Sequence, residues 1–269
     1  MMPSPAGAGR LESSGQWADD LQLAVLRPIR AGDAFEVTVD HLATAIRLGV
    51  FPRGAALPPE RELAARLGVA RVTLREAIAA LREARLVQTR RGRGGGSVVV
   101  YDGVERVITR CDDGSDAEAY LPRGQELDAL LAYRRIIEPG AAALAASIGL
   151  RAPHRTALVA ALAAMAEASD PGTRRVAESR LHVTIAQLTG CAPLLDAVVR
   201  TRGVVHRLLA ASALPAGSDG SDGSGGSNRE WHAEHTALVD AVLAGEVDAA
   251  RRASERQCDR TADLLRAAS

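Results

Sequence analysis

Residues 58–87 read PPERELAARLGVARVTLREAIAALREARLV, and the spacing of their apolar positions sets the N-terminal fold. Glu60 to Leu67 puts Leu63, Ala64 and Leu67 on one helical face and stops at Gly68, which can turn left-handed at no steric cost. Only Val69 and Ala70 separate that stop from a second amphipathic run, Arg71 to Arg85, in which Leu74, Ile78 and Leu81 face inward. Two short helices joined by a tight glycine turn predict a helix-turn-helix. Upstream, Val39, Leu42, Ala43 and Ile46 recur at helical spacing before Gly49, so a helix is expected over Val39–Leu48, and three prolines between Phe51 and Pro59 break the chain before the next one. Downstream, the β-prone stretches Leu86–Thr89 and Ser97–Val100 bracket Arg90-Arg91-Gly92-Arg93-Gly94-Gly95-Gly96 and predict a hairpin, or wing, with a basic glycine-rich tip.

Charge is unevenly spread around this unit. The chain as a whole is neutral, with 33 basic residues, all of them Arg, against 33 acidic ones. Residues 1–40 hold 3 Arg and 6 acids, 41–100 hold 11 Arg and 4 acids, and 101–269 hold 19 Arg and 23 acids, so the segments carry −3, +7 and −4. An excess of seven positive charges confined to sixty residues is the footprint of a polyanion-binding module and makes nucleic acid the leading partner class. Cys111, Cys191 and Cys258 form no CxxC pair, which indicates neither a disulfide framework nor a zinc finger. No apolar run approaches the ~20 residues of a membrane helix, and no signal peptide is visible, so a cytoplasmic protein with no membrane partner is expected.

At 269 residues, with aromatics at 3% and Ala and Leu dominant, the chain favours two domains built mainly of helix. Residues 1–30 read as a disordered leader, 31–101 as the winged helix-turn-helix, 102–124 as an acidic irregular linker, and 125–269 as a second domain. That second domain shows helical periodicity at roughly 125–148, 153–168, 173–189, 192–212, 230–244 and 246–267, so an all-α bundle of six or so helices is expected, with a low-complexity Gly/Ser loop over 215–228.

The stretch from Val39 to Val100, with PPERELAARLGVARVTLREAIAALREARLV followed by RRGRGGGSVVV, resembles the winged helix-turn-helix of the GntR family of bacterial transcription regulators. The resemblance implies that the helix from Arg71 enters the major groove, that Arg61, Arg71 and Arg75 meet DNA, and that Arg91 and Gly92 sit at a wing tip in the minor groove. Arg71 and Arg75 share a helix face, where Arg suits bidentate contact with guanine, and Thr73 offers a hydroxyl to phosphate. The plainer alternative is that these arginines form a solvated face paired with Glu60, Glu62 and Glu76. Two departures from the family stand out: Ala70 replaces a capping Ser or Thr, and Arg85 replaces a glycine before the wing, so that turn is either not left-handed or is mildly strained.

YRRIIEPGAAALAA (133–146), ESRLHVTIAQLTG (178–190) and HAEHTALVDAVLAGEVDAA (232–250) resemble, in order, the FCD domain of the FadR-type branch of that family. The resemblance implies a small carboxylate effector inside the bundle, contacted by Arg134, and a divalent metal such as zinc or nickel on an Asp and three His; here Glu178 stands for the Asp, His182 and His235 for two His, and Gln257 for the third. Glu178 and His182, four residues apart, share one helix face and can grip one ion. Gln257 is a weak neutral ligand, so metal binding and a metal-free polar cavity stand as open alternatives. Arg134 can fork onto a carboxylate or simply pair with Glu138 along the helix. Together these readings describe a ligand-responsive repressor, homodimeric on a pseudo-palindromic operator. A metal-dependent hydrolase using the Glu/His cluster, or a dimeric DNA-binding protein without ligand, are the alternatives; no HExxH, nucleophile elbow or phosphate loop supports an enzyme.

Overall fold

A computed structural model describes residues 21–22, 24–26, 34–90, 96–103, 121–212 and 225–268. Among them the protein is helical throughout except for one two-stranded sheet. The N-terminal unit runs α1 (Ala34–Arg47), α2 (Glu60–Leu67), α3 (Arg71–Glu83), β1 (Val87–Arg90) and β2 (Gly96–Val99). α1 starts five residues before its expected first turn because Phe35 and Thr38 extend its inward face. Gly68 takes φ 69°, and its N–H bonds to the Ala64 carbonyl, closing α2 and launching α3 after two residues. The apolar faces read from the periodicity meet as expected: Leu42 and Ile46, Leu63 and Leu67, Leu74 and Leu81 are all buried in one core with Phe51 and Val99.

β1 and β2 pair antiparallel, with Val87 opposite Val99 and Arg90 opposite Gly96. The segment before α2 ties onto the outer edge of β2, where Leu57 N donates to Ser97 O (2.8 Å) and Val99 N to Ala55 O (2.9 Å). This third line of hydrogen bonds fixes the base of the wing on α2 and α3. The wing tip itself, with Arg91 and Gly92, lies outside the described residues.

The second unit comprises α4 (Gln125–Ser147), α5 (Ala152–Glu167), α6 (Pro171–Leu188), α7 (Ala192–Ala211), α8 (Gly225–Ala244) and α9 (Val247–Ala267). Leu158, Met165, Leu181, Ile185, Leu238 and Val242 fill its centre. α4 and α9 make the most extensive helix pairing. α8 begins inside the stretch expected as a Gly/Ser loop, since its helical turns reach back to Gly225.

The two units share a boundary core rather than hanging from a bare tether. Ala43 and Ile46 of α1 belong to one cluster with Val198 and Val199 of α7 and Val183 of α6. Gly203 of α7 lets α1 come close, for a Cβ there would stand 2.8 Å from the Thr44 methyl. Leu21, Val25 and Leu26 are buried in this same core, although they fall within the segment expected as a disordered leader. The His41 ring meets the Val25 carbonyl at 2.9 Å and holds that short apolar piece in place.

Candidate functional site

On the N-terminal unit, α3 presents Arg71, Val72, Arg75 and Glu76 to solvent while Leu74, Ala77, Ile78 and Leu81 hold it to the core. Arg71 and Arg75 are therefore one turn apart on the open face, with half-buried Thr73 between them and exposed Arg61 of α2 alongside. Arg75 Nε donates to Glu60 Oε2 at 2.9 Å, so the solvated pairing is present in the free protein. An exposed pair of this kind is weakly held and is readily exchanged for a phosphate or a base edge. Two local departures are visible. Ala70 sits at the N-cap with extended backbone and no side-chain hydrogen bond, leaving the first amides of α3 open. Arg85 takes φ 55°, so the left-handed turn before the wing is retained and a non-glycine residue bears its strain.

The second site is assembled from α4, α6, α7 and α8. Arg134 of α4 is fully buried, at 0% exposure. Its Nε donates to Glu138 Oε1 (2.8 Å), while Nη1 and Nη2 have no hydrogen-bond partner. Glu138 Oε2 accepts from Arg202 Nη2 of α7 (2.7 Å) and lies 3.2 Å from His182 Nδ1 of α6. Arg202 Nη1 reaches on to Glu178 Oε1 at 3.2 Å, and His235 Nε2 of α8 is 3.8 Å from that same oxygen. Arg134, Glu178, His182 and His235, drawn from sequence positions a hundred residues apart, thus belong to one buried network. The Arg134–Glu138 pair and the open fork are both present, each using different guanidinium nitrogens.

Electrostatics set the protonation states. Burial pushes the Glu138 carboxyl up, but the Arg134 and Arg202 charges outweigh it and hold the group well below the usual carboxylate range. Glu178 behaves alike, with burial opposed by the His235 ring and by Arg202. Burial, reinforced by Arg202, holds His182 well below its ordinary value, so its ring is neutral at pH 7. A carboxylate can only accept, so the His182 Nδ1 facing Glu138 carries the proton and Nε2 keeps its lone pair. His235 Nδ1 faces the Trp231 carbonyl at 2.8 Å and must donate to it, while Nε2 is turned toward Glu178. Both Nε2 atoms are buried without a partner, and the ligand atoms of Glu178, His182 and His235 lie within 4.8 Å of one another. That donor set fits a divalent cation on three protein ligands, with Glu178 already shared with Arg202. Gln257 of α9 is also buried, and both its amide atoms lack partners.

A profile described as bacterial regulatory proteins, gntR family, matches residues 35–96, and one described as the FCD domain matches residues 129–259. This chain is a GntR-family transcriptional regulator with an FCD domain. Over 238 residues, 86% of this regulator and 80% of its relative, it is 29% identical to RmpR of Mycobacterium gastri, named as an HTH-type transcriptional regulator. Its DNA-binding part is 42% identical over 66 residues to NanR of Klebsiella aerogenes, named an HTH-type transcriptional repressor; that match spans 24% of this chain and 25% of NanR. The solved structure of E. coli McbR/YncC superposes with a TM-score of 0.51 at 16% identity, over 88% of this chain and 99% of that one, which marks a common fold. Regulators of this family bind DNA and small-molecule effectors, and the hydrolase alternative drops away. No helix among the described residues is long and apolar enough to cross a membrane.

Two participants were not singled out from the sequence. Arg202 bridges Glu138 and Glu178, and His206, one turn later, bonds through Nε2 to Tyr101 Oη at 2.9 Å. The signal existed: along α7 the buried face Leu195, Val198, Val199, Val205 is interrupted at 202 and 206 by groups that, unlike Thr201 with its bond to the Ala197 carbonyl, find no partner within their own helix.

Proposed function

We propose that this regulator is a homodimeric, cytoplasmic repressor that releases a pseudo-palindromic operator when its helical domain, residues 125–269, takes up a small carboxylate. The observation that carries the reading is the Arg134 fork: two terminal nitrogens of a fully buried guanidinium with no partner, in a position where an unmet charged donor is costly. A planar carboxylate matches both nitrogens at once. Arg202 is already paired with Glu138 and Glu178, so the unmet positive charge is that of the Arg134 fork, and the neutral His182 ring offers its Nε2 lone pair to a donor on the same ligand. If a zinc or nickel ion is bound, Glu178, His182 and His235 hold it, and it supplies a second positive centre for the carboxylate.

On the DNA side, residues 31–101 read the operator through Arg61, Arg71, Thr73 and Arg75, with Arg91 and Gly92 of the wing tip in the adjacent minor groove. One recognition helix reads too few base pairs for genomic specificity, so two copies on a two-fold site are required. Repression rather than activation takes its support from the name of the NanR relative.

The test uses duplexes selected by the full-length protein from a random library, titrated by fluorescence anisotropy. Arg71→Ala or Arg75→Ala is expected to cost on the order of 1 to 3 kcal/mol on the selected duplex while leaving the helical domain folded. Wild-type affinity in both variants refutes the recognition-helix assignment. Carboxylates that weaken the wild-type complex and fail on Arg134→Met establish the sensing half; an effect that persists in Arg134→Met refutes it.

A further inference from the structure

The open face of α3 carries one large apolar side chain among its charges. Val72, the second residue of the helix, is 61% exposed, whereas Leu74, Ala77, Ile78 and Leu81 on the opposite side are buried. By the 3.6-residue repeat it stands in the middle of the open face, with Arg71 and Arg75 to one side and Glu76 to the other. Arg75 reaches away to Glu60 of α2, and Val72 stays uncovered. Ala70, at the N-cap, is exposed as well and brings no polar side-chain atom, so the start of α3 offers an apolar surface among arginines. Valine at this place does nothing for folding: it buries no core area, and its β-branch makes it a poorer helix former than alanine.

What covers Val72 has to suit both its neighbours and its own chemistry. The surrounding segment, with its seven excess positive charges, takes a polyanion, and the first residues of a recognition helix are the ones that reach base edges. Phosphates are met by the arginines, while the Glu76 carboxylate beside Val72 repels them, so this part of the face turns to the bases. In the major groove every group on those edges is a hydrogen-bond donor or acceptor except one, the C5-methyl of thymine. A valine can neither donate nor accept, so against a G·C pair it leaves polar groups dry and unmet, whereas against the methyl it buries apolar surface on both sides. Resting on the recognition-helix reading of α3, we propose that Val72 is a base-reading residue that packs on the C5-methyl of a thymine beside the guanine taken by Arg71 or Arg75.

The experiment uses the duplex selected by the full-length protein from a random library, with each thymine of the half-sites replaced in turn by uracil, which keeps the base pair and removes only the methyl. At one thymine position, replacement in both half-sites is expected to weaken wild-type binding about fifteenfold by fluorescence anisotropy, from about fourfold for each buried methyl group. Val72→Ala is expected to bind the thymine and uracil duplexes within about twofold of each other while melting with the wild type, and Val72→Ile to keep the preference. Selected half-sites without thymine, or a wild type indifferent to every uracil, overturn the proposal, and neither result depends on a variant folding. A methyl preference that survives in Val72→Ala places the contact on another residue and overturns it as well. Failure of the parent reading looks different: there Arg71→Ala also keeps wild-type affinity, whereas an error confined to Val72 leaves Arg71→Ala weakened and only the uracil series flat. A protein that selects no duplex at all removes the recognition face, and the role of Val72 with it.

Discussion

Tyr101 stands at the exit of the wing, two residues after β2, yet its hydroxyl reaches into the helical domain. It lies 2.9 Å from His206 Nε2, with both residues buried, and His206 Nδ1 is 3.4 Å from Ser179 Oγ, the neighbour of Glu178. Burial, with Arg175 and Arg47, pushes His206 down to about 3, so the ring is neutral and Nε2 can accept from the phenol. Tyr101→Phe keeps the ring and removes only that donor. A buried imidazole nitrogen left unmet costs about 1 to 3 kcal/mol, which corresponds to a fall in melting temperature of roughly 2 to 10 °C for a chain of this size. Thermal unfolding followed by circular dichroism reads the stability. The carboxylate response of operator binding, read by anisotropy, is expected to shrink as well, since the bond joins the end of the wing to the helix face beside Glu178. A double-mutant cycle with His206→Leu separates this bond from general packing: the two losses are expected to overlap by about 1 kcal/mol, because the double variant leaves no orphaned nitrogen. A Tyr101→Phe protein that melts with the wild type, or strictly additive losses, refutes the bond as a link between the two units.

Arg85→Gly relieves the left-handed strain at φ 55° and is expected to stabilise the protein by about 1 kcal/mol, partly offset by glycine's greater freedom in the unfolded chain; urea denaturation checks the sign. Glu138→Gln removes the carboxylate shared by buried Arg134 and Arg202 and is expected to cost about 3 to 5 kcal/mol in the same assay, so a near-neutral result contradicts the network as described. Acid should destabilise the regulator in two stages. His206 is depressed from 6.5 to about 3, so the unfolded chain takes up its proton first and stability declines as pH falls from about 6.5 toward 3; below about 4.5 the depressed Glu138 and Glu178 add to the loss. Melting temperatures measured from pH 7.5 to 4 check this, and a flat profile down to pH 5 refutes the neutral, buried state of His206.

The helix-turn-helix was legible because its signals are local. The 3.6-residue spacing of Leu63, Leu67, Leu74 and Leu81, the glycine at 68 and the paired β-prone runs act over one or two turns of chain, and α2 and α3 begin where those signals place them. The same holds for Glu178 and His182, four residues apart on α6. What spacing could not supply was partner choice. Arg134 was equally consistent with an open fork and a closed salt bridge, and only the approach of α7 showed that both hold, because Arg202 takes the other Glu138 oxygen and leaves the Arg134 terminus free. Leu21 and Val25 likewise look like part of a polar, irregular leader until the α1–α7 core covers them. Periodicity tells which side of a helix must be buried, since burying apolar area is favourable whatever covers it. Which buried polar groups meet depends on helix register and crossing across separations of 64 residues or more, as between Glu138 and Arg202, and that is decided only when the bundle closes.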